Sequence, residues 1–400
     1  MSFDVGSVRK HFPALGAGYA HFDGPGGSQT PDVVADAVAS TLTAPMANRG
    51  RVTAAERTAD TIVLDARGAM ADLLGADPRG IVFGRSMTAL TFDMARTLSA
   101  TWAPGDEVVV TRLDHDANIR PWQYAAEAAG AVLRWAEFDP ETAELSAEAV
   151  AEVLTPRTRL VAVTAASNLL GTRPPVRAIT DLAHAAGALT YVDGVHYTAH
   201  AGVDVTALGA DFFACSPYKF LGPHCGVLAA SPELLETLRP QKLLPATDAV
   251  PERFELGTLP YELLAGTTAA VDFLAGFDRT DGTRRDRLLA SASAVEAHEE
   301  RLRGRIEEGI AALPRTRIFS KAAHRTPTLL VGFTDRAPGD AYTFLAERGI
   351  NAPAGSFYAL EASRHLGLGD TGALRIGLAP YVDDNDVTRL LEALGEFVGV

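Results

Sequence analysis

Residues 159–194 read RLVAVTAASNLLGTRPPVRAITDLAHAAGALTYVDG. RLVAVTAAS and ALTYVDG are short apolar runs with β-branched residues, and the PVRAITDLAHAAG between them carries apolar residues at helical spacing. Two such strands joined by a helix lie parallel, and parallel strands are covered on both faces, which suits runs this apolar. The same alternation extends upstream. EVVVTRL and AVLRWAEF read as strands, and NIRPWQYAAEAAG and SAEAVAEVLT as helices. Earlier still, AERTADTIVLDARGAMADLLG is a helix, GIVFG a strand and MTALTFDMARTLSATW a helix. The expected class is therefore α/β, with a mostly parallel sheet between layers of helices. Ligands of such sheets sit beyond the carboxyl ends of the strands. His115, Asn168 and Asp193 all fall there.

After about residue 265 the texture changes. A long helical stretch, RDRLLASASAVEAHEERLRGRIEEGIAAL, precedes the short strands TPTLLVGF and GALRIGL and a last helix, NDVTRLLEALGEFV. The expected division is an N-terminal arm over 1–20, a large domain over 21–265 and a smaller C-terminal α+β domain over 266–400. A chain of 400 residues exceeds what one core comfortably holds.

Composition removes several function classes. Hydrophobic residues make up 47% and charged residues 22%, as in an ordinary globular protein. The formal net charge of -14 argues against general affinity for nucleic acid or anionic membranes. Cys215 and Cys225 are the two cysteines, too few for a disulfide framework or a cysteine-based zinc site. The N-terminal MSFDVGSVRKHF lacks a signal-peptide core and no later stretch is long enough to span a bilayer, so the cytoplasm is the expected location. Only Lys10, Lys219, Lys242 and Lys321 offer a chemically active amine.

Of these, Lys219 lies between the apolar segments ADFFACS and FLGPHCGVLAA. A buried amine is costly unless paired or functional, and burial lowers its pKa, which suits a Schiff-base lysine. The simpler alternative is a loop lysine reaching water. Asp193 ends a strand that should be buried, where an acid caps, binds metal or balances a charged ligand. Pyridoxal 5'-phosphate requires a carboxylate beside its ring nitrogen. His115 in TRLDHDANIRPW could stack on a planar cofactor or move a proton, or be a satisfied loop histidine. Ser216, Thr88 and the backbone near Ser86 and Met87 could hold a phosphate at a helix start, although serines and threonines also cap helices routinely. FDGPGGSQTP matches neither GxGxxG nor GxxxxGK[ST], which disfavours a nucleotide site or a nicotinamide dehydrogenase. His196 and His200 in HYTAH have i, i+4 spacing but no third ligand, so no metal is expected.

Taken in order, these segments resemble one family. The chain is similar to class V aminotransferases of pyridoxal-phosphate fold type I, in the branch of cysteine desulfurases and selenocysteine lyases. The resemblance runs from YAHFDGPGGSQTP to RIGLAPYVDDNDVTRLLEAL and is most specific in YVDGVHYTAHAGVDVTALGADFFACSPYKFLGPHCGVL. It implies a large domain with a seven-stranded sheet and bound pyridoxal 5'-phosphate. Lys219 would carry the cofactor covalently, Asp193 would pair with its ring nitrogen and His115 would stack on the ring. His196, where the family usually has glutamine, and Asn168 would approach the phenolic oxygen. Thr88, Ser216 and Tyr218 would surround the phosphate. Thr258 would reach the phosphate of a neighbouring subunit, making a homodimer the expected form. Arg375 would clamp a substrate carboxylate. The family's sulfur-accepting loop cysteine is replaced by Tyr358 in NAPAGSFYALEASRHLGL, and an arginine shortly before it by Pro353. The nearest likeness is a desulfurase-like subgroup without that cysteine. The resemblance thus implies C–S lyase or related elimination chemistry on a small amino acid. The alternatives are an aminotransferase or epimerase, or a non-catalytic binding protein on the same fold.

Overall fold

The computed structural model of the chain describes residues 3–400. A seven-stranded sheet runs in the order Ile81–Gly84, Gly226–Ala230, Phe212–Cys215, Leu189–Asp193, Thr158–Thr164, Glu107–Thr111, Val132–Ala136. The last five strands in that order pair parallel, while Gly226–Ala230 is antiparallel to both its neighbours. The exception has a local cause. Residues 216–225 between Phe212–Cys215 and Gly226–Ala230 contain no helix long enough for a crossover, so the chain can only turn back.

The strands distribute their side chains by strict alternation. Val109, Val161, Val163, Val192 and Phe213 enter one core with the helices Ala54–Leu74, Val176–Ala185 and Tyr261–Leu274. Val108, Val110, Leu160, Ala162, Tyr191 and Phe212 enter the opposite core with Met87–Ser99 and Arg120–Ala129. Both faces are thus apolar, which is why the strands read as continuous hydrophobic runs. Val132–Ala136 pairs on one side only and is the partly exposed edge.

Among the helices outside the sequence expectation are Asp32–Thr43 and Tyr261–Leu274, which pack on each other, and Tyr261–Leu274 also packs on Ala54–Leu74. SAEAVAEVLT, by contrast, forms only the short helix Ala147–Ala151. No described helix is long and apolar enough to cross a membrane.

The C-terminal part forms a second, antiparallel sheet in the order Ala354–Gly355, Ala373–Gly377, Thr328–Phe333, Thr316–Ile318. Its core includes residues of Arg284–Ala311, Pro338–Ala346 and Asp384–Val398. The N-terminal segment joins this core rather than the large sheet's. Ala20–His21 pairs parallel with Ile350–Asn351, and Phe12, Ala20 and Phe22 are buried there. The next residue, Asp23, bridges to Gly377, which brings the glycine-rich loop alongside Arg375.

One buried ion pair ties the segment before Thr258 to the sheet. Arg67 Nη1 and Nη2 each lie 2.9 Å from an oxygen of Glu255, and Glu255 Oε1 also accepts from the Phe83 N–H at 2.9 Å. Both side chains are almost fully buried. Glu255→Ala would leave the Arg67 charge without its bidentate partner, and is expected to cost about 3–5 kcal/mol. Urea unfolding read by circular dichroism measures it; a loss below about 1 kcal/mol would mean that water or Glu252 compensates.

Candidate active site

Four adjacent parallel strands end at one sheet edge, and each delivers polar residues into the following loop. Glu107–Thr111 leads to Asp114 and His115, Thr158–Thr164 to Asn168, Leu189–Asp193 to His196, and Phe212–Cys215 to Ser216, Tyr218 and Lys219. Thr164 pairs with Asp193 and Asp193 with Ala214, so these loops start at the same level. Ile81–Gly84 ends at that edge too, because Gly84 pairs with Gly226; it is followed by the helix starting at Met87. Together with Asp23–Gly26, Phe357, Tyr358 and Arg375, these loops enclose a cavity of about 720 Å³, within the range of small-molecule sites.

The Lys219 Nζ donates to the carbonyl oxygens of Pro25 and of Gly26, the latter at 2.9 Å, and lies 4.8 Å from the Tyr218 ring centroid. Burial, reinforced by repulsion from Arg375, lowers its pKa to about 7, while Asp23 and Asp193 pull the other way. The glycine-rich loop thus holds the amine by its backbone. A side chain at Gly26 would collide with Asp23: a Cβ there would lie 2.3 Å from the Asp23 Oδ2.

The Asp193 carboxylate is buried. It accepts from the Val195 N–H at 2.9 Å, yet burial still raises its pKa to about 6. The pocket therefore presents an acid that gains from a cationic partner. The neighbouring Asp114 is also buried. It accepts from Asn118 Nδ2 at 2.7 Å and from the Thr111 hydroxyl, and burial raises it to about 8. This network pins the turn that carries His115. His115 Nδ1 accepts from the Ala117 N–H at 3.0 Å, which places the proton of the neutral ring on Nε2. Burial, then the positive charges of Lys219 and Arg375, lowers its pKa to about 4, so the ring is uncharged at neutral pH.

Several buried polar atoms facing this region have no protein partner. The His196 Nε2 lies 2.9 and 3.0 Å from the hydroxyls of Thr326 and Thr328, but its Nδ1 is unpartnered. The Asn168 amide nitrogen donates to the Phe357 carbonyl at 2.9 Å, leaving its oxygen unpartnered. Orphaned atoms of this kind are costly and point to a polar ligand. Thr88 and Met87 line the cavity at the start of the helix Met87–Ser99, with Ser216 and Tyr218 nearby. Ser86 is the N-cap of that helix, its side chain accepting from the Ala89 N–H, and does not line the cavity. Thr258 is exposed and lies outside the cavity of its own chain.

Arg375 is buried, with Nη2 2.6 Å from Asp23 Oδ1, Nη1 3.2 Å from the Asn168 carbonyl, and its guanidinium carbon 3.6 Å from the Phe357 ring centroid. Phe357 and Tyr358 occupy the left-handed region at φ 53° and 58°, a strained arrangement for two aromatic residues. The turn is held by the Asp116 N–H, which donates to the Tyr358 carbonyl at 2.7 Å, and by Asn168. The Tyr358 ring lies 5.5 Å from that of His115.

The candidates Lys219, Asp193, His115, His196, Asn168, Met87, Thr88, Ser216, Tyr218, Tyr358 and Arg375 thus line one cavity, with Ser86 and Thr258 outside it. Asp23 was missed. FDGPGGSQTP invites comparison only with nucleotide loops, and its acid gives no local sign of facing an arginine that follows it by several hundred residues. Phe92, Asp116, Arg120, Tyr124 and Phe357 also line the cavity and carried no distinguishing motif.

The family model for class-V aminotransferases matches residues 20–390. The chain belongs to the class-V aminotransferase family. It is similar to the aminotransferase-like protein FGM3 of Gibberella zeae (32% identity, 98% of each chain) and to a probable cysteine desulfurase of Pseudomonas aeruginosa (32% identity, 96% of each chain). Its fold matches the crystal structure of the cysteine desulfurase CsdA from Escherichia coli with a TM-score of 0.88, at 28% identity, over 99% of this chain and 98% of that one. This member of the class-V aminotransferase family is a pyridoxal-phosphate-dependent enzyme. The lowered amine, the buried acid, the helix start and the orphaned polar atoms fit that cofactor.

Because Lys219 reacts only as the free amine, cofactor capture by the apoprotein should speed up about tenfold per pH unit below 7 and level off above it. The rate of appearance of the lysine-bound visible band measures this. A rate still climbing at pH 9 would show an amine with the ordinary lysine value.

Proposed function

We propose that this enzyme cleaves a C–S or related bond at the β-carbon of a small amino acid by elimination. The observation that carries the reading is the pairing of a neutral-range amine, Lys219, with a loop that has Tyr358 where a sulfur-accepting cysteine would stand. Pyridoxal 5'-phosphate, when bound, supplies the electron sink for a carbanion at the substrate's α-carbon. Lys219 would hold it and would take the substrate's α-proton on Nζ, which its lowered pKa allows. Asp193 would keep the ring nitrogen protonated, the cation it lacks in the protein alone. His115 would stack its uncharged ring on the cofactor, and His196 and Asn168 would approach the phenolic oxygen. Met87, Thr88, Ser216 and Tyr218 would hold the phosphate. Arg375 would orient the substrate carboxylate while its guanidinium also pairs with Asp23.

The two cysteines favour elimination over sulfur transfer to the protein. Both are buried and free, and burial raises the Cys225 thiol to about 11 and the Cys215 thiol further. Neither supports a nucleophilic thiolate, and a phenol cannot carry a persulfide. The likeness to an aminotransferase-like protein favours a second reading, amino transfer, which needs only Lys219, Asp193 and Arg375.

We also infer a cytoplasmic homodimer. Thr258 is exposed at the end of a segment braced by Glu255, a position suited to reaching a partner's phosphate site. Within each chain, residues 21–265 would hold the cofactor, and 266–400 would supply Arg375 and Tyr358 from above.

With L-cysteine, the expected products are pyruvate, sulfide and ammonia, quantified after incubation. With a small thiol added as sulfur acceptor and two-electron reductant, alanine with sulfide would mean desulfuration to that thiol, and turnover that requires a keto acid would establish amino transfer. Lys219→Ala should lose the lysine-bound absorbance band; a borohydride-reducible band surviving on another lysine would overturn the assignment. Asp193→Asn should keep bound cofactor while lowering kcat at least about a hundredfold, and wild-type kcat would remove its proposed role.

A further inference from the structure

His196 and His200 share one face of the turn Tyr197–Ala199, with ring centroids 4.8 Å apart in edge-on contact. Their spacing resembles half a zinc site, yet among the described residues no group of three or more His, Cys, Asp or Glu could hold a metal. A carboxylate arrives from elsewhere instead. The helix Arg284–Ala311 places Glu299 Oε2 2.8 Å from His200 Nδ1, and the side chains of His200 and Glu299 are only 3% and 1% exposed. Three titratable groups therefore stand in line from the main cavity inward: His196 on its wall, His200 behind it and Glu299 at the back. His200 itself borders a separate small cavity against Arg284–Ala311.

We propose that His200 and Glu299 are positioning residues that act through His196, holding its ring aimed so that its free nitrogen meets the phenolic oxygen of the cofactor. The proposal rests on the reading of the cavity as a pyridoxal-phosphate site. A buried carboxylate accepting from His200 Nδ1 fixes that ring's tautomer and orientation, and His200 packs its ring against His196. The Thr326 and Thr328 hydroxyls occupy His196 Nε2, which leaves Nδ1 as the atom with no protein partner. The charged and titratable groups facing His196 are His200 from its own turn, Lys219 from the loop after Phe212–Cys215, and Arg375 from Ala373–Gly377. All three oppose a further positive charge, and burial does so most strongly, so His196 lies well below its ordinary pKa. Glu299 holds His200 from behind through the 2.8 Å contact to its Nδ1. Weakening that hold lets the His196 ring turn away from the phenolic oxygen, which then loses a hydrogen-bond partner, and this favours the protonated form of the lysine-bound cofactor.

The test is a spectral pH titration of the holoenzyme, which reads the ionisation of the lysine-bound cofactor without turnover. Glu299→Gln, nearly isosteric but without the charge-assisted bond to His200, should raise the midpoint by about one pH unit, a tenfold change in proton affinity. His298→Gln is the control. His298 is buried on the same helix but bonds the Val382 carbonyl, so its substitution should leave the midpoint in place. In a His196→Gln background, Glu299→Gln should no longer shift the midpoint, because the connecting ring is gone. His200→Gln provides a second route and should also displace the midpoint. An unchanged midpoint in both Glu299→Gln and His200→Gln, or an equal shift with His196 replaced, overturns the proposal. A wild-type protein that forms no lysine-bound band at all would instead overturn the cofactor reading beneath it.

Discussion

The molecule depends on one constraint: parallel strands must all end on the same side of a sheet. Helical crossovers return the chain to the starting edge each time, so the strands from Glu107, Thr158, Leu189 and Phe212 release their loops together. The backbone has spent its hydrogen bonds inside the sheet, and the residues just past it are free to point polar groups into a common space. His115, Asn168, Asp193 and Lys219 come from four different loops and meet there. Burial then tunes them. It raises the acid and lowers the amine and the imidazole, so Asp193, Lys219 and His115 are all driven away from their charged forms.

A second constraint closes the site from the other half of the chain. The segment before Asp23 is anchored in the C-terminal core by Phe12, Ala20 and Phe22. Asp23 therefore meets Arg375 from a neighbouring strand position rather than from the large sheet. This ion pair, the carbonyls of Pro25 and Gly26 on Lys219, and the strained Phe357–Tyr358 turn all sit where the two parts of the chain touch the same cavity.

Much of this was legible before any coordinates. Apolar β-branched runs alternating with helical spacing identify a parallel sheet, since only strands covered on both faces can be so uniformly apolar. Lys219 stands out because lysines are scarce here and this one sits between two buried segments. Asp193 stands out because it ends a buried strand. The helices Asp32–Thr43 and Tyr261–Leu274 were less visible, for they pack on each other, and Tyr261–Leu274 on Ala54–Leu74 as well, and that gain comes from partners distant in sequence.

The sequence by itself determined the class of fold, the sheet edge at which chemistry gathers, and the lysine and acid that gather there, because periodicity and local burial are written in neighbouring residues. Only the tertiary structure decided that Asp23 faces Arg375, that Glu299 stands behind His200, and that both cysteines are sealed in the core. Those relations join residues tens to hundreds of positions apart, and pairing over such separations is set by how the two cores pack.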